Sequence, residues 1–107
     1  MKSIFVHHVF FWLHEPQNPE ARKTFEKGLQ GLLKIEEIQE YHLGIPAETD
    51  REVVDNSYTY SLLLIIRDKA DHDSYQKHPI HLRFIDECGK LWKRIQVYDS
   101  VDMGKKP

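Results

Sequence analysis

The segment Tyr75-Gln76-Lys77-His78-Pro79-Ile80-His81 fixes where the helices in the second half of the chain begin and end. Proline disfavours helical geometry at the residue before it and fits well at the first position of a new helix. The sequence therefore predicts a short helix over residues 69–77 and a longer one from Pro79 to Trp92. The longer helix has one apolar face with a histidine in its first turn, formed by His81, Phe84, Ile85, Cys88, Leu91 and Trp92.

Strand-like segments flank these helices. They are rich in β-branched and aromatic residues, or alternate between apolar and polar positions, over residues 4–13, 41–45, 57–67 and 95–101. Asn18-Pro19 marks the start of another helix, which runs to about Lys34. The polar and acidic residues 47–56 predict an exposed loop.

The predicted element order is β-α-β-β-α-β, with the second helix broken at Pro79. This is the ferredoxin-like α+β arrangement, in which one four-stranded antiparallel sheet carries its helices on one face. The other face would stay exposed as a large apolar patch, which monomers rarely show. We therefore expect a homodimer packed sheet to sheet, a dimeric α+β barrel.

The first strand is apolar on both faces, so each face needs a cover. We expect the dimer face to carry the odd-numbered residues Phe5, His7, Val9, Phe11 and Leu13. We expect the helices to cover the even-numbered residues Ile4, Val6, His8, Phe10 and Trp12.

Composition excludes several classes of protein. The 107 residues predict one domain, with a core over about residues 2–102 and a tail over 103–107. A net charge of −2 argues against nucleic-acid and anionic-membrane partners. No apolar run approaches the roughly 20 residues that span a bilayer. The single Cys88 rules out an internal disulfide and suits a reducing cytoplasm, where we expect the protein, with Cys88 as a core residue.

Three motifs resemble the stress-responsive α/β-barrel (Dabb) family over nearly the whole chain. They are Val6-His-His-Val-Phe-Phe-Trp-Leu13, His78-Pro-Ile-His81 and Ile95-Gln-Val-Tyr-Asp99. The resemblance implies a dimeric α+β barrel. It also extends to a plant polyketide cyclase of this family, which performs an aldol condensation without metal or cofactor. The match implies that His81 is the base, that Tyr75 assists the substrate and that His8 joins them.

The chain also departs from the family pattern. His72 replaces the usual aliphatic residue, Trp12 is bulky, and Ile35-Glu-Glu-Ile38 replaces a small turn after the first helix. Each change could reshape or fill a pocket, so the resemblance does not carry the substrate class over.

His81 also stands out without the family. Burial and the positive end of a helix both penalise imidazolium, so we expect neutral His81 near pH 7, the form that a general base needs. The alternative is a core histidine that is bonded to a backbone carbonyl or to Tyr75, because buried polar groups are usually hydrogen-bonded. The Tyr75 hydroxyl could stabilise a developing oxyanion.

The expected pocket walls are Trp12, His72, Phe84 and Trp92; the three large aromatic residues among them could equally be plain core. Asp99 is either a structural residue, as a cap or a partner for a nearby cation, or a pocket acid, and the structural role is favoured. His78 is expected to serve the turn. A metal site at His78 and His81 is the alternative, but no carboxylate or cysteine completes it at a recognisable spacing, so we predict no metal and no cofactor.

Two functions remain open from the sequence. One is a cofactor-independent cyclase or lyase that acts on an apolar, polyketide-like substrate with His81 as its base. The other is a non-catalytic dimeric barrel that binds a small apolar ligand or adds stability under stress. A monooxygenase or haem enzyme on a similar barrel is a weaker third. An accessible cavity that reaches His81 favours the first function, and a filled interior favours the second.

Overall fold

The computed structural model describes residues 4–104, which contain four strands and three α-helices. The strands are β1, Phe5–Leu13; β2, Ile38–Gly44; β3, Tyr60–Ile66; and β4, Trp92–Val101. The α-helices are α1, Pro19–Leu32; α2, Lys69–Lys77; and α3, Pro79–Cys88, which a 3₁₀ turn over Gly89–Leu91 joins to β4. The first residues of the predicted core, 2 and 3, and the tail residues 105–107 lie outside the described residues.

The strands form one antiparallel sheet in the order β2-β3-β1-β4, and the helices pack on one of its faces. This confirms the predicted ferredoxin-like α+β fold, including the break at Pro79. The main boundary error concerns Trp92, which begins β4 instead of ending α3. None of the helices in residues 4–104 is long and apolar enough to cross a membrane.

Local side chains set the helix starts. The Asn18 side chain accepts hydrogen bonds from two backbone N–H groups in the first turn of α1, at 2.9 and 3.2 Å. Asp68 caps α2 in the same way, at 2.9 Å. Because the first N–H groups of a helix have no partner within it, such caps stabilise each start by about 1 kcal/mol.

His78 caps α3 directly before Pro79. Its Nδ1 accepts the backbone N–H of Ile80 at 3.1 Å, and its Nε2 lies 3.1 Å from the Glu36 carboxylate. The side chain thus meets local backbone, which confirms the structural role in the turn that the sequence predicted.

The two sheet faces are the reverse of the sequence prediction. The odd-numbered residues of β1 face the helices and are all buried. The ring of Phe11 lies 5.0 Å from that of Phe25 in α1 and 6.0 Å from that of Phe84 in α3, measured between centroids. We call this side of the sheet the inner face. The predicted dimer face therefore forms the core instead.

Strand register explains the reversal, because paired residues of antiparallel strands point to the same side of a sheet. Val9 pairs with Val97 on β4 and with Leu62 on β3. The even-numbered residues of β1 instead pair with polar residues of β4, such as Gln96 and Ser100. We call this second side the outer face. Its large apolar side chains are Val6, Phe10, Trp12, Leu63, Ile65 and Tyr98, and it also carries the polar side chains of His8, Glu40, His42, Arg94 and Gln96.

Helices α1 and α3 come into close contact at Gly28. A Cβ atom there would lie 2.5 Å from the Sγ of Cys88, so only glycine allows this approach without a shift. Cys88 is 1% exposed, and burial raises the pKa of its thiol. Its predicted place in the core is confirmed.

Candidate functional site

A cavity of about 250 Å³ lies between the inner face and helices α2 and α3. We call it the inner cavity. Most of its wall is apolar, and strands β1, β3 and β4 and all three helices contribute to it. Its polar side chains are His7, His72, Tyr75, Gln76, His81 and Asp99.

Tyr75 and His81 meet in this wall, as the sequence predicted. The helix break at Pro79 turns α3 so that the two rings contact edge to face, with centroids 4.8 Å apart. The ring of His7, from β1, lies 5.7 Å from Tyr75 on the other side. Burial raises the pKa of Tyr75, so its hydroxyl keeps its proton at neutral pH and can donate it in a hydrogen bond.

The Nδ1 atom of His81 is buried and has no hydrogen-bond partner within residues 4–104. Burial lowers the pKa of His81, and the nearby His7 lowers it further, whereas the backbone of Gln76 opposes them. The ring is therefore neutral near pH 7. Since buried polar atoms are nearly always paired, this unpaired nitrogen, on a side chain that lines the inner cavity, singles out His81 as the candidate functional residue.

We expect His81 to titrate below the ordinary histidine pKa of about 6.5. The unfolded chain then binds this proton more tightly, so His81 reduces stability as the pH falls below about 6.5 and has no effect above it. An NMR titration of the imidazole signals, assigned with His81→Gln, measures the pKa. A midpoint above the ordinary value would contradict the electrostatic argument.

His7, His72 and Asp99 form a second polar group beside Tyr75. The Nδ1 of His7 lies 2.6 Å from Oδ1 of Asp99 and 3.3 Å from Nε2 of His72. Burial lowers the pKa of His7, and Asp99 opposes this. His72 stacks on Phe5, with ring centroids 4.4 Å apart.

Two predicted site residues lie elsewhere, on the outer face. The Nε2 of His8 contacts the Ser61 hydroxyl at 3.2 Å, and Trp12 donates its indole N–H to Ser57 at 3.0 Å. The predictions that His8 joins His81 and that Trp12 lines its pocket are therefore wrong, for the same reason that the two faces were reversed. His7 takes the position expected for His8.

The other predicted wall residues, His72, Phe84 and Trp92, do line the inner cavity. Sequence reasoning missed His7 and favoured a role outside the pocket for Asp99. The alternation of β4 carried the missing signal, because its apolar set of Ile95 and Val97 also contains Asp99. Aligning that set with the odd-numbered residues of β1 places His7 beside Asp99, as the register shows.

Comparison with protein families gives one match over most of the chain. Residues 5–102 match the model of the Stress responsive A/B Barrel Domain. No curated protein sequence matches the chain with significance.

Several solved structures share the fold. A Dabb family protein with a ferredoxin-like fold from Mesorhizobium loti is 20% identical and has a TM-score of 0.79, with 96% of this chain and 100% of that chain covered. A hydroxynitrile lyase from Passiflora edulis is 21% identical with a TM-score of 0.76, and 97% of each chain is covered. A dimeric ferredoxin-like protein of unknown function from Thermobifida fusca is 16% identical with a TM-score of 0.74, covering 94% of this chain and 92% of that chain.

Proposed function

The chain belongs to the stress responsive A/B barrel domain family, and from this premise we propose that its inner cavity binds a small apolar carbonyl compound on which His81 acts as a general base. The observation that carries the proposal is the Nδ1 atom of His81, which is buried, lacks a partner within residues 4–104 and belongs to a side chain in the cavity wall. A neutral imidazole with a free nitrogen is the form that accepts a proton.

The proposed chemistry starts at a carbon next to a carbonyl group. Its C–H bond breaks, the proton moves to the free nitrogen of His81, and the electron pair delocalises onto the carbonyl oxygen as an enolate. The Tyr75 hydroxyl donates a hydrogen bond to that oxygen as its charge grows. The enolate then attacks a second carbonyl, as in a cyclase, or expels a leaving group, as in a lyase. The Passiflora edulis structure is a hydroxynitrile lyase with a similar fold, which supports by analogy only that a lyase can be built on this fold.

Cavity size and lining favour a small apolar ligand. A volume of about 250 Å³ lies just below the roughly 300–1,000 Å³ of drug-sized ligand pockets. Phe84 and Trp92 supply aromatic walls. Ile85 and Ile95 also line the cavity while 45% and 43% exposed, so apolar contact extends towards solvent.

The proposed assembly is a homodimer through the outer face. Phe10, Leu63 and Ile65 are only half-buried there, and Tyr98 is 62% exposed. Large apolar side chains that are partly exposed on one sheet face are typical of an interface. The Thermobifida fusca protein with the same fold is dimeric, which supports the proposal. A non-catalytic dimer that only binds a ligand is the alternative if no turnover is found.

Tryptophan fluorescence tests ligand binding, because the chain has two tryptophans and only Trp92 lines the inner cavity. In a Trp12→Phe variant, we expect β-keto and other apolar carbonyl compounds to change the emission of Trp92 in a saturable way. The matched Trp92→Phe variant, which keeps Trp12 on the outer face, should show no change. Equal changes in both variants would place binding outside the inner cavity, and no change with any compound would contradict the proposal.

A further inference from the structure

Three side chains of metal-ligating type converge in the wall of the inner cavity. His7 comes from β1, His72 from α2 and Asp99 from β4, and their donor atoms all lie within 4.8 Å of one another. The Nδ1 of His7 is at the centre of the group, 2.6 Å from Oδ1 of Asp99 and 3.3 Å from Nε2 of His72.

This group has one short hydrogen bond, between His7 and Asp99, and its contacts at Nε2 of His72 are long. In neutral imidazole, Nδ1 carries either one hydrogen or one lone pair. If the Nδ1 of His7 carries a hydrogen, it donates it to Asp99, and the Nε2 of His72 is left with the side-chain amide of Gln76 as its donor, across a long 3.5 Å. If it carries a lone pair, it faces the carboxylate across 2.6 Å with no hydrogen between them. A cation would accept electron pairs from all three atoms at once.

We propose that His7, His72 and Asp99 bind one divalent first-row transition-metal ion such as Zn²⁺. Two neutral imidazoles and one carboxylate form a ligand set that binds such ions and leaves a coordination position open. Zinc–nitrogen bonds in a tetrahedral site place neighbouring ligand atoms roughly 3.3 Å apart. The separation between the two histidine nitrogens is already 3.3 Å.

Only Asp99 has to move for an ion to enter. Its carboxylate oxygen must retreat from the 2.6 Å contact with His7, and its side chain is free to do so because it is 38% exposed. His7 is fixed within β1 and 5% exposed, and His72 is held by its stacking on Phe5. The site is thus built from two rigid ligands and one adjustable ligand.

In a second group of possible ligands, Glu36, Glu37 and His78, the histidine is fully paired, whereas Oε1 of Glu37 is buried without a hydrogen-bond partner within residues 4–104. The Nδ1 of His78 accepts the backbone N–H of Ile80, so its Nε2 carries the hydrogen and donates it to Glu36. Both ring nitrogens are therefore satisfied without an ion. Glu36 is exposed, which makes this group a suitable internal control.

The inference goes beyond the proposed function, since binding of the ion requires neither the carbonyl ligand nor proton transfer. The open coordination position would face the cavity that these three residues line. A bound ion there would act as a Lewis acid towards a carbonyl oxygen or a water molecule.

The test is a Zn²⁺ titration of chelator-stripped protein by calorimetry and by competition with a coloured chelator, with Co²⁺ absorption as a spectroscopic readout of the ligand geometry. We expect one ion per chain. Asp99→Asn and His72→Leu should each weaken binding by at least roughly 10- to 100-fold, and leucine keeps apolar packing on Phe5. Glu36→Gln should leave the affinity unchanged. Circular dichroism confirms that each variant is folded.

Two results would overturn the metal site: no Zn²⁺ binding by the wild type, or full affinity in both Asp99→Asn and His72→Leu. Loss of affinity in Glu36→Gln alone would assign the ion to the other group and also overturn it. His81→Ala should still bind the ion. The fluorescence assay with chelated protein tests ligand binding separately, so that failure of either proposal can be told from failure of the other.

Discussion

Replacement of His81 by alanine is expected to lower turnover of a carbonyl substrate by roughly 10²- to 10⁴-fold, the usual contribution of a positioned general base. The reason is the free, buried Nδ1 atom, for which alanine offers no substitute. His81→Gln keeps a polar side chain of similar reach but cannot hold the proton at neutral pH, so it should be nearly as slow. The measurement is kcat/KM with a compound found in the Trp92 binding screen, at matched folded fraction.

Further variants separate chemistry from folding. Tyr75→Phe should have a milder effect, because it removes one hydrogen-bond donor and leaves the base in place. His78→Ala should lower the free energy of unfolding by about 1 kcal/mol through the lost helix cap, with the rate per folded molecule unchanged. In the wild type, kcat/KM should fall as the pH drops through the lowered pKa of His81. Full turnover by His81→Ala would rule out this mechanism.

Local sequence signals were enough to predict the element order. Asn18 and Asp68 each cap a helix with their own side chain, and Pro79 separates two helices, so the decisive contacts are made within a few residues. The ending of α3 was missed because Trp92 continues the apolar pattern of the helix. In the folded chain it pairs with Leu13 instead, a contact that no local pattern reveals.

The two faces of β1 could not be assigned from β1 itself. Alternation divides the strand into two sets, and both are apolar, so hydrophobicity alone does not say which set the helices cover. Strand β4 resolves the assignment, because its aliphatic residues Ile95, Val97 and Val101 share a face with Val9, whereas Arg94, Gln96 and Ser100 share a face with Phe10. The prediction failed because it treated each strand separately.

In the candidate site, too, some contacts could be predicted from local sequence and others depend on how the strands pair. Tyr75 and His81 lie on either side of one helix break, so their spacing along the chain already places them together. The contact between His7 and Asp99 joins residues 92 positions apart, and it depends on strand register instead of spacing. This is why the sequence showed no carboxylate that completes a metal site, whereas the fold brings one to two histidines.

The corrected faces also change which variants test the homodimer. A charge at Val9, which is 3% exposed on the inner face, enters the core of the chain. It should prevent folding at every protein concentration, whatever the oligomeric state. The matched position is Phe10, the next residue along β1, because its side chain lies on the outer face. Comparing the two separates loss of core packing from loss of assembly.

Phe10→Asp is expected to dissociate the homodimer. A two-fold interface above about 1,200 Å² contains each substitution twice. Losing roughly 1.5–3 kcal/mol of apolar burial at each copy raises the dimer Kd by about 10²- to 10⁴-fold, before the cost of burying the charge. In sedimentation at micromolar concentration, we expect the wild type to have twice the chain mass of 12.7 kDa. The Phe10→Asp variant should have the mass of a single chain or be unfolded. The control variant Phe10→Leu should stay dimeric. A well-folded wild-type monomer at this concentration would refute the proposed assembly, and an unchanged dimer in Phe10→Asp would place the interface elsewhere.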